Sequence, residues 1–193
     1  MADKAASKPG TGLRNAALLL IVWEIVGRLD LIAGGALPAL SEILLRLWVD
    51  RADYPPHVLA TLYASGLGFI IGNAIGILAG VVFALSPTTL RLFRGVNIAI
   101  FALPPIAIAP ILVLTLSGMA PRVVLATLGV YFVTMTATVI GLSQTDKRTT
   151  DLIRAYGGTS WTVLRLVQFR GALPTIVSAF RIAAPNAVLG AIL

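Results

Sequence analysis

The chain contains no cysteine and a single histidine, His57. Without cysteine it has no disulfide framework, thiol nucleophile or cysteine-ligated metal, and one histidine is too few for a histidine-based metal centre. Charge is scarce as well: 12% of the 193 residues are charged, against about a quarter in soluble domains. No Gly-x-x-x-x-Gly-Lys-Ser/Thr loop occurs, so the chain does not cradle ATP in that way. We therefore predict that it is not an enzyme.

Apolar residues are abundant: they make up 58% of the chain, and the mean hydropathy is +0.92. Five apolar stretches follow a short polar tail, 1–13. We predict membrane spans at about 15–33, 58–85, 96–116 and 123–142, and a partial span at 175–193. The first stretch is interpreted as a retained span rather than a signal peptide. The last is too short to cross a bilayer after Arg181, so we expect a chain truncated within a membrane helix.

Two local features are predicted near the first span. Glu24 and Arg28 are four residues apart, so they can pair on one helix face; a proton-relay role for Glu24 is the alternative. After the break at Pro38, Ser41 is expected to cap an amphipathic helix that lies along the membrane interface.

Four glycines, Gly68, Gly72, Gly76 and Gly80, recur every four residues in the second span. Small residues on one helix face let two backbones approach closely in lipid, so this stripe predicts helix packing; a substrate role is the alternative. Asn73 beside it could form a hydrogen bond to a neighbouring helix.

Three prolines interrupt the third span: Pro104, Pro105 and Pro110. Proline frees backbone carbonyls that lipid cannot satisfy, so the break must face protein or a watery cavity. Both a translocation path and a packing kink fit this pattern.

Basic residues predict the orientation. With the N-terminus inside, four basic residues fall outside, Arg181 lies at the boundary, and ten fall inside: Lys4, Lys8, Arg14, Arg91, Arg94, Lys147, Arg148, Arg154, Arg165 and Arg170. The positive-inside rule therefore predicts a cytoplasmic loop at 143–173. The net charge of +7 thus reflects membrane topology, and we expect no nucleic-acid partner.

This loop is predicted to form a helix–turn–helix. Thr149 or Thr150 would cap a first helix with Asp151 in its first turn, and Gly157-Gly158 would end that helix in left-handed geometry. Thr159 or Ser160 would cap the second helix.

The segment Asp151-Leu-Ile-Arg-Ala-Tyr-Gly-Gly-Thr-Ser resembles the signature cytoplasmic loop of binding-protein-dependent ABC importer permeases. In that family a Glu-Ala-Ala pattern is followed by glycine six residues after the glutamate. Asp151 stands at the glutamate and Gly157 at the glycine, whereas Leu152 and Ile153 replace the alanines. Phe169-Arg170 replaces the usual Leu-Pro, so the second helix is expected to run to about Gly171. The likeness is greatest to the branch that imports taurine, sulfonates, nitrate and vitamin precursors.

The resemblance implies an all-α, polytopic membrane helical bundle of the type I importer permease kind, with its N-terminus inside. It implies a multi-pass protein of the bacterial inner membrane, residues 14–193 forming the permease domain, and a path for a small polar or anionic solute. The expected partners are a cytoplasmic ABC ATPase, a periplasmic or lipid-anchored substrate-binding protein and a second permease copy. The chain itself needs no cofactor, because the ATPase hydrolyses ATP. The implied ATPase contacts are Asp151, Ala155, Gly157, Gly158 and Thr159, within a coupling loop spanning 151–169.

Two other functions remain open at the level of sequence. A secondary transporter or channel would favour acidic residues in the spans, and only Glu24 is present. A membrane scaffold that no longer transports would fit a chain truncated in its last span.

Overall fold

The computed structural model describes residues 9–30, 32, 36–102 and 105–193. Over these ranges the chain is helical and has no strand, which confirms the predicted all-α class. The helices are α1 Pro9–Arg28, α2 Leu40–Val49, α3 Tyr54–Leu85, α4 Pro87–Ala102, α5 Pro105–Thr115, α6 Ala120–Ser143, α7 Lys147–Ala155, α8 Ser160–Val163 and α9 Phe169–Ile192, with a π-helical turn at Leu164–Gln168 between the last two.

Within the described ranges, three helical segments are long and apolar enough to cross a membrane: Tyr54–Leu85, Ala120–Ser143 and Ser160–Ile192. The last comprises α8, the π-turn and α9 without a break. The predicted third span, 96–116, includes the end of α4 and all of α5, and the two residues between them, 103 and 104, lie outside the described residues. Proline suits the first turn of a helix, where its missing N–H has no intrahelical partner.

Contacts divide the chain into two units, 1–57 and Val58–Leu193. In the first unit, α1 and the start of α2 are tied together by polar contacts. The Glu24 carboxylate accepts hydrogen bonds from the Ser41 N–H at 2.9 Å and the Ser41 Oγ at 2.6 Å, and from Arg28 Nε at 2.6 Å. The Glu24–Arg28 pair is thus confirmed.

The prediction that Ser41 caps α2 is wrong. Ala39 occupies the cap position and makes no side-chain cap hydrogen bond, and Ser41 lies inside the helix. Glu24 accepts the Ser41 N–H instead. A carboxylate from α1 thus satisfies a free donor in the first turn of α2, where a negative charge is also favoured by the helix dipole.

The core of the second unit forms where α6 lies between α3 and α9. Small buried residues dominate it: Ala64, Ala126, Val130, Ala183, Ala187 and Ala191. The glycine stripe of α3 packs on α6, as predicted. A Cβ built on Gly72 would lie 2.7 Å from the Val130 Cβ, and one on Gly80 would lie 2.5 Å from the Thr138 Cβ. The backbones therefore approach too closely for any larger side chain.

A buried hydrogen bond reinforces this contact. Thr134 on α6 donates from its Oγ1 to the Asn73 Oδ1 on α3 at 2.6 Å, and the Asn73 amide donates to the Phe69 carbonyl at 2.8 Å. The predicted bond from Asn73 to a neighbouring helix is confirmed. Asn73 therefore serves helix packing, because its side-chain oxygen and its amide both form hydrogen bonds within the core.

A second cluster of buried apolar residues lies where the segment between α6 and α9 leaves the first helix and enters the second. Leu142 on α6 packs with Leu164 of the π-turn and with Ala172 and Ile176 of α9. This cluster fixes both ends of the polar loop, so the loop projects from a packed base.

Candidate functional site

The polar loop begins with α7, whose cap differs from the prediction. Asp146 is the N-cap residue, and its side chain accepts a hydrogen bond from the Arg148 N–H at 3.1 Å. Asp151 is the fifth residue of the helix and is exposed. The predicted threonine cap was wrong because Asp146 precedes those threonines and aspartate caps at least as well as threonine.

The glycine turn forms as predicted. Gly157 has a φ of +81°. Its N–H donates to the Arg154 carbonyl and the Gly158 N–H to the Ile153 carbonyl, both at 2.9 Å. Two such bonds around a left-handed residue form a Schellman motif, which ends α7 at Ala155.

The two glycines are required for different reasons. A Cβ on Gly157 would meet no atom within 4 Å, so only the backbone conformation favours glycine there. A Cβ on Gly158 would collide with the Ile153 side chain and would lie 2.8 Å from the Ile153 carbonyl oxygen. Ile153 therefore faces the turn, while Leu152 is 57% exposed.

The second arm of the loop starts at Thr159, which caps α8 as predicted: its Oγ1 accepts from the Thr162 N–H at 3.4 Å. The expected stop near Gly171 is wrong, because the helix continues through the π-turn into α9 and ends at Ile192. Arg170 and Gly171 both have N–H groups to donate, so nothing forces a break where the family has proline.

The five residues predicted to contact an ATPase lie around this one turn. Asp151, Ala155, Gly157 and Thr159 are exposed, and Gly158 is half-buried. Sequence reasoning missed Tyr156, which is 86% exposed and immediately precedes Gly157. In the sequence, the signal that could have identified Tyr156 is a large aromatic residue directly before a glycine pair. The turn thus presents an exposed surface that includes an aromatic side chain.

The predicted path residues lie elsewhere. Pro104 falls outside the described residues. Pro105 begins α5 and lines a cavity of about 510 Å³ between α5, α6 and α9, which Phe132 and Asn186 also line. Pro110 lies inside α5, is exposed and is not among the lining residues. The structure thus places Pro105 at a cavity and does not bring Pro110 to it.

Comparison with known proteins agrees with this architecture. Residues 72–193 match the family described as binding-protein-dependent transport system inner membrane component. A Haemophilus influenzae protein named "Probable ABC transporter permease protein" is 28% identical over 176 residues, covering 91% of this chain and 72% of its own. The formylaminopyrimidine transport permease of Halalkalibacterium halodurans is 27% identical, and the match covers 90% of this chain and 70% of the length of that permease. The taurine transport system permease of Escherichia coli is 26% identical, and the match covers 86% of this chain and 63% of the length of that permease.

The family match covers more than half of the chain, and it includes the glycine stripe from Gly72 onward, the loop and the last helix. The chain therefore belongs to the family of inner membrane components of binding-protein-dependent transport systems, the permeases of ABC importers.

Proposed function

We propose that this chain is the permease subunit of an ATP-driven importer and that the turn at Gly157 docks into a cytoplasmic ABC ATPase. The observation that carries the proposal is the loop itself. Two helices meet at a left-handed glycine, their shared turn is exposed, and their bases are fixed by the cluster around Leu142. An exposed turn on a packed base suits a partner that binds it and moves it.

The unbroken helix gives the loop a means to transmit movement. Because Ser160–Ile192 is one continuous helical segment, a displacement of the Gly157 turn can be passed to the last span through the helix itself, which includes the π-turn and two interior prolines, Pro174 and Pro185. ATP-driven closure of two ATPases would move two such loops and switch the spans between inward-open and outward-open states. This requires a second permease copy, and we propose a homodimer.

The topology follows from the basic residues. With the N-terminus inside, the loop faces the cytoplasm, where the ATPase and ATP are located. We place the protein in the bacterial inner membrane as a multi-pass component that receives its solute from an external substrate-binding protein.

The solute is proposed to be small and polar or anionic. Two relatives are named for formylaminopyrimidine and taurine transport, and both names describe small polar molecules. Pro105 and the cavity beside Asn186 are the part of the described structure that we assign to the translocation path; Pro104 and Pro110 belong to the same proposed element.

The test combines the permease, its ATPase and its binding protein in proteoliposomes. Gly157→Pro should abolish solute uptake while ATP hydrolysis continues, because proline cannot adopt a φ of +81°. Gly157→Asp should also uncouple ATP hydrolysis from solute uptake, though less completely than Gly157→Pro, because aspartate tolerates left-handed backbone geometry better than proline does. Gly171→Ala, at an exposed helical position with no atom within 4 Å of the added Cβ, is the matched control.

Unchanged uptake in both Gly157 variants would contradict the proposed coupling role. Failure of the wild-type chain to co-purify with an ATPase would contradict the importer assignment and favour a secondary transporter, a channel or a scaffold.

A further inference from the structure

Three arginines lie on the continuous helical segment Ser160–Ile192: Arg165 and Arg170 near the end of the polar loop, and Arg181 beyond it. All three are exposed. Residues 152–193 contain no aspartate or glutamate, so the helix that carries these charges has no acidic residue to neutralise them. Among the described residues, none of the three forms a salt bridge. Any acidic group that pairs with these arginines therefore belongs to another part of the chain or to another molecule.

The π-turn decides how two of them are arranged. In a regular α-helix, residues five apart differ by about 140° around the axis, so Arg165 and Arg170 would point in different directions. Here the Phe169 N–H donates to the Leu164 carbonyl, five residues back. Residues five apart therefore stack one turn apart across Leu164–Gln168, which brings Arg165 and Arg170 onto the same exposed face.

The surroundings of this pair are those of a membrane boundary. Arg170 immediately precedes 171–180, a stretch without a charged residue. Leu166 and Leu173 beside the pair are exposed, at 49% and 43%. A surface that puts exposed leucines next to paired guanidinium groups matches the level where acyl chains meet phosphate headgroups.

Arg181 lies on nearly the same face, because eleven residues complete about three turns. It is about 16 Å further along the axis at about 1.5 Å per residue. Each headgroup layer is only about 5–7 Å thick, so Arg181 cannot share a headgroup with Arg170.

From this arrangement we propose that Arg165 and Arg170 form a binding site for the headgroup phosphate of an anionic phospholipid. Guanidinium groups bind phosphate through paired N–H donors, and two of them one helical turn apart can hold one phosphate between them. The bound lipid would fix the helix at the point where the polar loop enters the membrane. The site does not depend on which side of the bilayer the loop faces.

The site is tested on the detergent-solubilised, full-length chain, titrated with short-chain phosphatidylglycerol and with phosphatidylcholine at low and high salt. The wild-type chain should bind phosphatidylglycerol preferentially, and salt should weaken that preference. Arg165→Gln and Arg170→Gln should each lower the affinity for phosphatidylglycerol about fivefold, and the double variant about 25-fold. Arg91→Gln, on α4, removes the same charge elsewhere and should leave the affinity unchanged.

A charge-matched variant separates a built site from general attraction. Arg165→Gln combined with Leu166→Arg keeps the net charge but moves the guanidinium by one position around the helix. This variant should bind phosphatidylglycerol as weakly as Arg165→Gln alone. Wild-type affinity in this variant would overturn the proposal, because position would then not matter.

A second result would also overturn it. If the Arg165 and Arg170 variants kept the wild-type lipid affinity but no longer co-purified with the ATPase, this face would belong to the protein partner. Circular dichroism and thermal unfolding of each variant, compared with wild type, show that the measured losses do not come from unfolding.

Discussion

Gly157 is the residue whose backbone conformation the proposed coupling turn depends on most, and Gly157→Ala tests that dependence alone. Its φ is +81°, and a Cβ there would meet no atom within 4 Å. A clash therefore cannot explain any effect. The left-handed conformation costs an L-residue roughly 1–2 kcal/mol, and this cost opposes both hydrogen bonds of the Schellman motif.

The expected consequence is local opening of the turn. A cost of about 1–2 kcal/mol raises the open population roughly five- to thirtyfold, so the amides of residues 157 and 158 should exchange with solvent faster by that factor. Hydrogen exchange followed by mass spectrometry on the loop peptide measures this. The global unfolding temperature should change little, because the core helices do not contain the turn.

Gly171→Ala is the matched control, with the opposite expected sign. This position also has open space around an added Cβ, but it lies in a helix and its φ is not positive. Alanine in a helix interior is favoured over glycine by roughly 0.5–1 kcal/mol. Slower or unchanged exchange is expected. Equal exchange in both variants, or no acceleration at Gly157→Ala, would refute the argument that the backbone conformation holds the turn.

Three further predictions concern how the helices are held together. Gly72→Ala should destabilise the fold by about 1–3 kcal/mol, because its Cβ would lie 2.7 Å from the Val130 Cβ on α6. On the same helix, the Cβ of Gly66→Ala would meet no atom within 4 Å, so this control variant should not destabilise the fold. Thermal unfolding in detergent compares the two variants. A double-mutant cycle of Asn73→Ala and Thr134→Val should give a coupling of about 0.6–1.7 kcal/mol by the same measurement, and a coupling of zero would show that the 2.6 Å bond contributes nothing. Glu24→Gln should loosen the start of α2, since it weakens the acceptor that α1 supplies, and tryptic cleavage after Arg28 should quicken; an unchanged cleavage rate would contradict this role.

The sequence predicted those parts of the structure that depend on local pattern. Glycine every fourth residue in α3 predicted close helix packing, and a glycine pair in the polar loop predicted a left-handed turn. Both are confirmed, by the packing on α6 and by the positive φ of Gly157. The resemblance to importer permeases implied the all-α class, and the long apolar stretches predicted its spans.

The errors arose where a distant or irregular contact decides the structure. Glu24 replaces the expected cap at Ser41 from seventeen residues away in the chain, which no local pattern reveals. The π-turn at Leu164–Gln168 has no sequence signature, so neither the unbroken helix nor the pairing of Arg165 with Arg170 could be predicted. At α7, Asp146 caps the helix in place of the two threonines that follow it, because aspartate is the stronger N-cap residue.

A single introduced thiol shows whether a cytoplasmic ATPase binds the Gly157 turn, as we propose. The chain has no cysteine, so Tyr156→Cys introduces a unique label at a side chain that is 86% exposed in the wild type. A membrane-impermeant maleimide should label this position in inside-out vesicles, and the added ATPase subunit should protect it from the reagent. Labelling from the outside of intact cells, or equal labelling with and without the ATPase, would contradict the claim.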